Sequence, residues 1–193
     1  MHVEIVKNEG QRMQLKLKEI SVAMANALRR SIVSDLEAFA VDEVDFYENN
    51  SAMFNEYIAN RLAMIPLTCE ESHADKTEIA LSLNAEGPCM VYSRDLKSSD
   101  ETIKVFNENI PIIKLGANQK LRLEAKVAKG SAKRHSKFQC ALASYSYEPS
   151  KKNPEYHFII ESYNNIPAEE HLMRAIAMLN GKTEALLKSK ELK

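Results

Sequence analysis

Apolar residues recur with a helical period near both ends of this 193-residue chain and with a strand period between them. Steps of three and four residues place side chains on one side of a helix. Near the start, these positions are Val22, Ala25, Leu28, Ile32, Leu36 and Phe39. Near the end, they are Leu172, Ile176, Leu179, Thr183 and Leu186. One sheet face of a small domain covers only part of two such helices, so we expect the other flank to need a partner.

Strand-like alternation surrounds the first helical stripe. Residues 3–17 alternate on both sides of Glu9-Gly10, which is a turn sequence, and therefore predict a hairpin. Ser21 is placed to cap the helix that follows. Beyond this helix, a strand is predicted from Val41, Val44 and Phe46.

The middle of the chain predicts one short helix and several strands. Ser51 is placed to cap this helix, and Pro66 ends it. Its apolar side consists of Phe54, Ile58, Leu62 and Ile65. Alternating residues predict strands at 79–83, 121–127, 138–147 and 156–160, with a turn at 149–154.

The last helix carries the clearest start signals. We expect Asn165 or a neighbour to cap it, with Pro167 in its first turn. Glu169 and Glu170 follow and suit the positive end of the helix dipole. Together, these elements indicate an α+β fold.

The composition argues against several classes of protein. The 26 Lys and Arg residues balance 27 Asp and Glu residues, which is unlike a protein that wraps nucleic acid. No apolar run approaches the roughly 18 residues of a membrane helix, and the first residues do not resemble a secretory signal. The cysteines, Cys69, Cys89 and Cys140, contain no C-x-x-C pair, which disfavours a zinc ribbon, an iron–sulfur cluster and a disulfide framework. We therefore expect a cytoplasmic protein with reduced thiols.

The sequence contains no recognised catalytic motif. Nucleotide-binding glycine loops, the G-x-S-x-G elbow and the H-x-x-x-H metal spacing are absent from it. Asp42, Glu43 and Asp45 could imitate a catalytic carboxylate cluster. Neighbouring residues on a strand point to opposite faces, however, so a solvated acidic edge is the favoured interpretation.

A basic segment runs from Lys126 to Lys137 and contains five Lys or Arg residues and no acidic residue. Gly130 and Ser131 predict a turn between two strands within it. The segment has two interpretations of equal weight: a loop that docks on an acidic surface or a phosphate, and a solvated hairpin tip.

Several short motifs follow one another in order over most of the chain. They are Ala25–Arg30, Ala40–Val44, Asn49–Ser51, Asn55–Leu67, Gly87-Pro88, Val91–Leu96, Ser99-Asp100, Ile110–Leu115 and Gly130–Phe138. Each motif alone is weak. The ordered set resembles the alpha-type assembly subunits of multisubunit RNA polymerases, in the form that this family takes in archaea.

This resemblance implies two subdomains and a set of partners. Residues 1–44 plus 155–193 would form a discontinuous α/β dimerisation subdomain, and residues 45–154 an inserted strand-rich subdomain. The first would pair with RNA polymerase subunit L. The pair would then bind the small subunits N and P and the large subunits, and would meet DNA only through the complex. The resemblance also implies that the nucleotidyltransferase site lies in the largest subunit, and that this chain has no catalytic residue.

The sequence departs from the family pattern in three places. Many archaeal relatives carry a cysteine-rich ferredoxin-like insert. The corresponding segment here, residues 68–77, is short and contains one cysteine. We therefore expect no iron–sulfur cluster. Ala132 stands where the family loop usually has a second glycine, which leaves the shape of that turn open. No DNA-binding domain is expected after the last helix, so promoter contact by this subunit is unsupported.

The candidate partner-binding residues combine the helical stripes with the family motifs. The apolar candidates are Val22, Ala25, Leu28, Ile32, Leu36, Leu172, Ile176, Leu179 and Leu186. We expect them to be shared between the core and a heterodimer interface. Arg29, Arg30 and Arg61 either solubilise the surface or dock on carboxylates of a large subunit, as the resemblance implies. His135 and Lys137 belong to the basic family loop. The competing interpretation is a homodimeric α/β scaffold with a self-complementary stripe.

Overall fold

The structure is a computed structural model that describes residues 2–68, 79–147 and 155–189. The helices of these residues are α1 (Val22–Ser34), α2 (Asn55–Ala63) and α3 (Ala168–Lys188). The strands are β1 (His2–Asn8), β2 (Arg12–Lys18), β3 (Glu37–Asn49), β4 (Ile79–Glu86), β5 (Cys89–Tyr92), β6 (Lys97–Ser98), β7 (Pro111–Leu115), β8 (Lys120–Ser131), β9 (Ala141–Tyr147) and β10 (Tyr156–Ser162). The predicted α+β class is confirmed.

The chain divides into two compact units, one of which is discontinuous. The first unit comprises Met1–Glu37 with Ser131–Lys193, and the second comprises Ala38–Gly130. The boundaries between the two units therefore lie at residues 37–38 and 130–131. The resemblance implied subdomain boundaries at 44–45 and 154–155. The second boundary lies earlier than implied because β9 pairs with β10 in the sheet of the first unit.

The first unit is an antiparallel sheet in the order β1-β2-β10-β9, with α1 and α3 packed on it. The predicted hairpin is confirmed as β1 and β2, which pair around the turn at Gly10. The two central strands place pairs of apolar residues opposite each other. These pairs are Leu17 with Tyr156, Leu15 with Phe158, and Met13 with Ile160, and all six residues are buried. This register makes one face of the sheet the floor of the core.

Helix α1 begins as predicted but ends earlier than the apolar period suggests. The Ser21 hydroxyl accepts a hydrogen bond from the Met24 N–H at 3.2 Å, which confirms the predicted cap. The helix ends at Ser34, whose hydroxyl donates to the Arg30 carbonyl at 2.7 Å and competes with the helical backbone bonds. Leu36 and Phe39 therefore do not belong to the helical face, although both are buried. Leu36 follows the helix, and Phe39 lies on β3.

Helix α3 begins at Ala168, and its capping residue is Pro167 rather than Asn165. The side chain that organises the entry is that of Asn164, whose Oδ1 accepts the Ile166 N–H at 3.0 Å. Glu169 and Glu170 lie in the first turn, as predicted. The predicted turn at residues 149–154 lies outside the described residues.

The second unit contains a sheet in the order β3-β8-β4-β6, a two-stranded sheet of β5 and β7, and α2. The predicted alternation of β4 and β8 is confirmed, since buried residues of the two strands face each other in register. These pairs are Leu81 with Ala125, and Leu83 with Leu123. Gly130 and Ser131 do not form the predicted turn, because β8 continues through Ser131. The chain reverses after it, before a short 3-10 helix at Ser136–Phe138.

Helix α2 starts later than predicted. Ser51 does not cap it: the Ser51 hydroxyl donates to Asn49 Oδ1 at 2.6 Å and stabilises the preceding turn. The helix begins at Asn55, with Phe54 as the capping residue and 72% exposed. The buried side of α2 therefore consists of Ile58 and Leu62. Ile65 is buried beyond the end of the helix, because the helix ends at Ala63, three residues before Pro66.

A buried polar cluster lies where α3 meets β9 and β10. His171 is buried, and its Nε2 is 3.1 Å from Ser162 Oγ and 3.2 Å from Asn164 Oδ1. Its Nδ1 is 3.9 Å from Cys140 Sγ. Burial lowers the pKa of His171 from 6.5 to about 4, with Arg174 adding to the lowering and Glu170 opposing it. The folded chain therefore keeps this imidazole neutral.

We predict that the protein becomes less stable as the pH is lowered from 6.5 towards 4, because of His171. The unfolded chain takes up a proton as the pH falls below 6.5, whereas the folded chain takes it up only near pH 4. The contribution of His171 to the free energy of unfolding is therefore fully present above pH 6.5 and is lost as the pH falls towards 4. It should fall by about 2 kcal/mol from pH 7 to pH 5. Urea unfolding followed by circular dichroism measures this loss.

The matched control is the exposed histidine His157. His157→Gln should retain the dependence of stability on pH. In His171→Gln, the fall in the free energy of unfolding from pH 7 to pH 5 should be smaller by about 2 kcal/mol. Equal dependence in wild type and His171→Gln would show that this imidazole titrates normally in the folded state.

Candidate docking surface

Five of the predicted partner-binding residues lie inside the first unit. Ala25, Leu28, Ile32, Leu36 and Leu172 are buried within this chain alone. They therefore form part of its core and leave little exposed area for a partner. The correction has a simple cause: the helical period marks the side of each helix that needs cover, and here the chain's own sheet and helices supply that cover.

The remaining apolar candidates are accessible. Val22, Ile176 and Leu186 are exposed, and Leu179 is half-buried. They are joined on α1 by Met24 and on α3 by Met173 and Leu187, which the sequence analysis missed and which are also exposed. Leu187 is the most exposed large apolar residue on α3, at 80%.

The exposed residues of α3 form a second stripe, which we call the open stripe. Its members are Met173, Ile176, Asn180, Thr183 and Leu187. They are exposed and follow one another at steps of three, four, three and four residues, whereas the predicted stripe, which shares Ile176 and Thr183, has steps of four, three, four and three. The signal was therefore present in the sequence. It was hidden by the neighbouring stripe through Leu172 and Leu179, which contains more leucine.

The sheet face beneath the helices is also incompletely covered. Val3 and Ile5 of β1 lie opposite Leu17 and Leu15 of β2, so each pair points to the same face of the sheet. The β2 members are buried and the β1 members are exposed. Helix α3 packs on β10 and β2, and α1 packs on β9, which leaves β1 at the edge. The first unit thus exposes apolar side chains on α1, α3 and β1.

The three candidate arginines have different surroundings. Arg29 donates from Nε and Nη2 to Asn26 Oδ1 at 3.2 and 3.0 Å, one turn earlier on α1. Arg30 is exposed on the same helix, four residues before its last residue, Ser34. Arg61 donates to the carbonyls of Ile112 at 2.8 Å and Pro111 at 2.5 Å, and so links α2 to β7. Arg61 therefore has a structural role within the second unit.

The basic segment is partly neutralised by carboxylates of this chain. Lys126 Nζ is 3.1 Å from Asp45 Oδ2 and 3.4 Å from Glu43 Oε2. Hydrogen bonds to these carboxylates, chiefly that to Asp45, raise the pKa of Lys126. The acidic residues of β3 thus face a lysine of β8. In the described ranges, no group of three or more His, Cys, Asp or Glu side chains is arranged to hold a metal ion.

His135 and Lys137 shape the bend of the basic segment. His135 is exposed, and its Nδ1 accepts the backbone N–H of Lys137 at 3.1 Å. The ammonium group of Lys137 lies 5.2 Å from the centre of the Phe138 ring, in the range of a cation–π contact. The buried Phe138 therefore anchors this bend.

None of the helices in the described part of the chain combines the length and the apolar character needed to cross a membrane.

Comparison with known families defines the class of this fold. Residues 43–144 match the family described as the RNA polymerase Rpb3/RpoA insert domain. This match overlaps most of the second unit, Ala38–Gly130. The chain is therefore built like the polymerase subunits of the Rpb3/RpoA type, with an insert inside a discontinuous unit.

Similarity to individual proteins extends over most of the chain. This chain is 42% identical over 183 residues to DNA-directed RNA polymerase subunit Rpo3 of Pyrococcus furiosus, and the match covers 88% of this chain and 70% of that protein. It is 46% identical over 164 residues to Rpo3 of Thermococcus kodakarensis, covering 78% of this chain and 63% of that protein. It is 37% identical over 171 residues to Rpo3 of Methanocaldococcus jannaschii, covering 89% and 86%. The chain belongs to the Rpo3 family of archaeal RNA polymerase subunits, which confirms the resemblance seen in its motifs.

Proposed function

We propose that this chain is a non-catalytic assembly subunit of DNA-directed RNA polymerase that pairs with an L-type subunit through its first unit. The observation that carries the proposal is the open stripe of α3, in a chain whose relatives are polymerase subunits. An assembly subunit needs a surface that is left incomplete until its partner binds, and this stripe has that character.

The length of α3 supports the same conclusion. The helix has 21 residues, but its side chains are exposed on all sides from Asn180 to Lys188. A helical segment of this length without packing is marginal in water. A partner that packs on the open stripe would supply the missing tertiary contacts. It would also cover Val3 and Ile5 if its interface extended over the edge of the sheet.

The wider partners follow from the family. The pair would bind the small subunits N and P and then the large subunits, and it would meet DNA only through the complex. The near-neutral charge of the chain fits protein partners better than direct DNA binding. The proposal places the chain in the cytoplasm with its polymerase, and assigns nucleotidyl transfer to another subunit.

We predict that Ile176→Asp and Leu187→Asp abolish pairing with the L-type subunit. Each change would place a carboxylate among the apolar side chains of the open stripe. Burial of an unpaired carboxylate costs several kcal/mol, which is a loss of more than about 100-fold in affinity. Co-expression and affinity purification of the pair, followed by titration calorimetry, measures the loss.

Leu142→Asp is the matched control, because Leu142 is an exposed leucine of the same unit on the side of β9 away from the core. It should pair like wild type. The proposal fails if both α3 variants also pair like wild type. A homodimeric scaffold would instead give a stable dimer of the chain alone, which sedimentation across a range of concentrations detects.

We predict that Arg30→Glu weakens recruitment of the large subunits and leaves the heterodimer intact. Arg30 is exposed on α1, four residues before the helix ends, and its guanidinium can reach carboxylates of another subunit. The experiment is a pull-down of the large subunits by the preformed heterodimer at moderate salt. Arg61→Gln is not a suitable control, since Arg61 holds β7; Lys188→Glu, on the exposed end of α3, reports the effect of charge alone. Equal capture by wild type and Arg30→Glu would exclude this role.

We also propose that the chain holds no iron–sulfur cluster. Cys69 lies outside the described residues, Cys89 is exposed and Cys140 is buried beside His171. A cubane cluster requires four ligands, usually cysteines, and the sequence has three. We predict that anaerobically purified protein lacks bound iron and visible absorption. Stoichiometric iron with the absorption of a cluster would contradict this.

A further inference from the structure

The carboxylate of Asp35 joins three separate parts of the first unit. Asp35 follows α1, and its backbone N–H donates to the Ser31 carbonyl at 3.0 Å. Its side chain is only 8% exposed. Lys133, from the segment after β8, lies 2.5 Å from Oδ1, and Lys182 of α3 pairs with Oδ2. We call Asp35, Lys133 and Lys182 the clasp.

The clasp is charged under ordinary conditions. Burial alone would raise the pKa of Asp35, but the hydrogen bonds from Lys133 and Lys182 outweigh that effect and lower it. The hydrogen bond to Asp35 also raises the pKa of Lys133. A carboxylate with little exposure needs such partners, because a buried charge without them is strongly destabilising.

The clasp holds α3 at the point where its cover ends. One tie between α1 and α3 lies earlier, where the Ser31 hydroxyl donates to the Ala175 carbonyl at 3.5 Å. Lys182 is seven residues further along α3, which is about two helical turns. From Thr183 to Lys188 every residue is exposed. Lys182 therefore ties α3 to the rest of the unit immediately before the free end that carries Leu187.

We propose that Asp35 is a positioning residue that fixes the direction of the free end of α3, and so presents the open stripe to a partner in a preformed geometry. This proposal rests on the proposed function. Asp35 acts through Lys182 and does not itself contact the partner. The physical gain is preorganisation: a surface already held in its bound geometry loses less conformational freedom when the partner binds.

The second lysine extends this role to the basic segment. Lys133 lies two residues before His135, in the bend that Phe138 anchors. Because Lys133 and Lys182 share one carboxylate, Asp35 ties the basic bend and the free end of α3 to the same point. Removal of the carboxylate should loosen both segments, whereas removal of either lysine should loosen only its own.

The experiment compares Asp35→Asn, Lys182→Met and Lys133→Met with a control on the same helix. The control is Lys188→Met, because Lys188 is exposed and pairs only loosely with Glu184, at 3.7 Å. Hydrogen–deuterium exchange of each chain alone reports the free end of α3 and the basic bend separately. Titration of each chain with the purified L-type subunit reports affinity and association rate. Asp35→Glu tests rescue.

Asp35→Asn and Lys182→Met should raise exchange at residues 180–188 and weaken binding of the L-type subunit by about 5- to 30-fold. Asp35→Asn should also raise exchange at residues 132–137, as should Lys133→Met. Lys188→Met should stay within about twofold of wild type in affinity. Asp35→Asn should add little in a Lys182→Met background, since the two act through one contact. Asp35→Glu should recover part of the affinity.

Unchanged exchange at residues 180–188 in Asp35→Asn overturns the proposal, and so does unchanged affinity. If Asp35→Asn fails to fold, Lys182→Met decides, because it removes one exposed lysine and leaves the core intact. If the wild-type chain does not bind the L-type subunit, the proposed function fails. The exchange comparison then still decides whether Asp35 orders the end of α3.

Discussion

The apolar face of the β1-β2-β10-β9 sheet is wider than the two helices that cover it. Leu15 and Phe158 lie under that cover, and Val3 and Ile5 lie on the same face at the edge without it. Helix α3 in turn is exposed on all sides from Asn180 to Lys188. An isolated first unit therefore cannot bury all of its apolar surface, and this imbalance explains why such a fold belongs to an assembly of subunits.

Local sequence patterns predicted the elements better than their ends. The hairpin, the Ser21 cap and the strands of both sheets follow from alternation and turn chemistry, which act over a few residues. The end of α1 was missed because Leu36 and Phe39 continue the helical period beyond Ser34 by coincidence, with Phe39 serving a strand. Ser51 illustrates a second limit, since a serine that can cap a helix can equally stabilise a turn. Here its hydroxyl donates a hydrogen bond to Asn49 instead of capping α2.

The partner surface was harder to predict because core and interface have the same periodicity. Ala25 and Ile32 are indistinguishable by spacing from Ile176, yet the first two are buried and the third is exposed. Only the folded arrangement shows which side of a helix the chain itself covers. Arg61 and Asp35 depend equally on distant residues: the carbonyls of β7 and the lysines of the clasp reach them only after folding. The family motifs supplied what periodicity could not, namely the class of partner.

The discontinuous first unit also imposes an order of events during synthesis. Strand β2 pairs on its inner side with β10, and the whole second unit, Ala38–Gly130, is encoded between them. At translation rates of about 5 to 20 residues per second, the ribosome needs roughly 5 to 20 seconds for that stretch. During this interval Met13, Leu15 and Leu17 have no neighbouring strand on that side. The apolar face of the first hairpin therefore stays incomplete, and open to non-native contacts, until the rest of the first unit has been made.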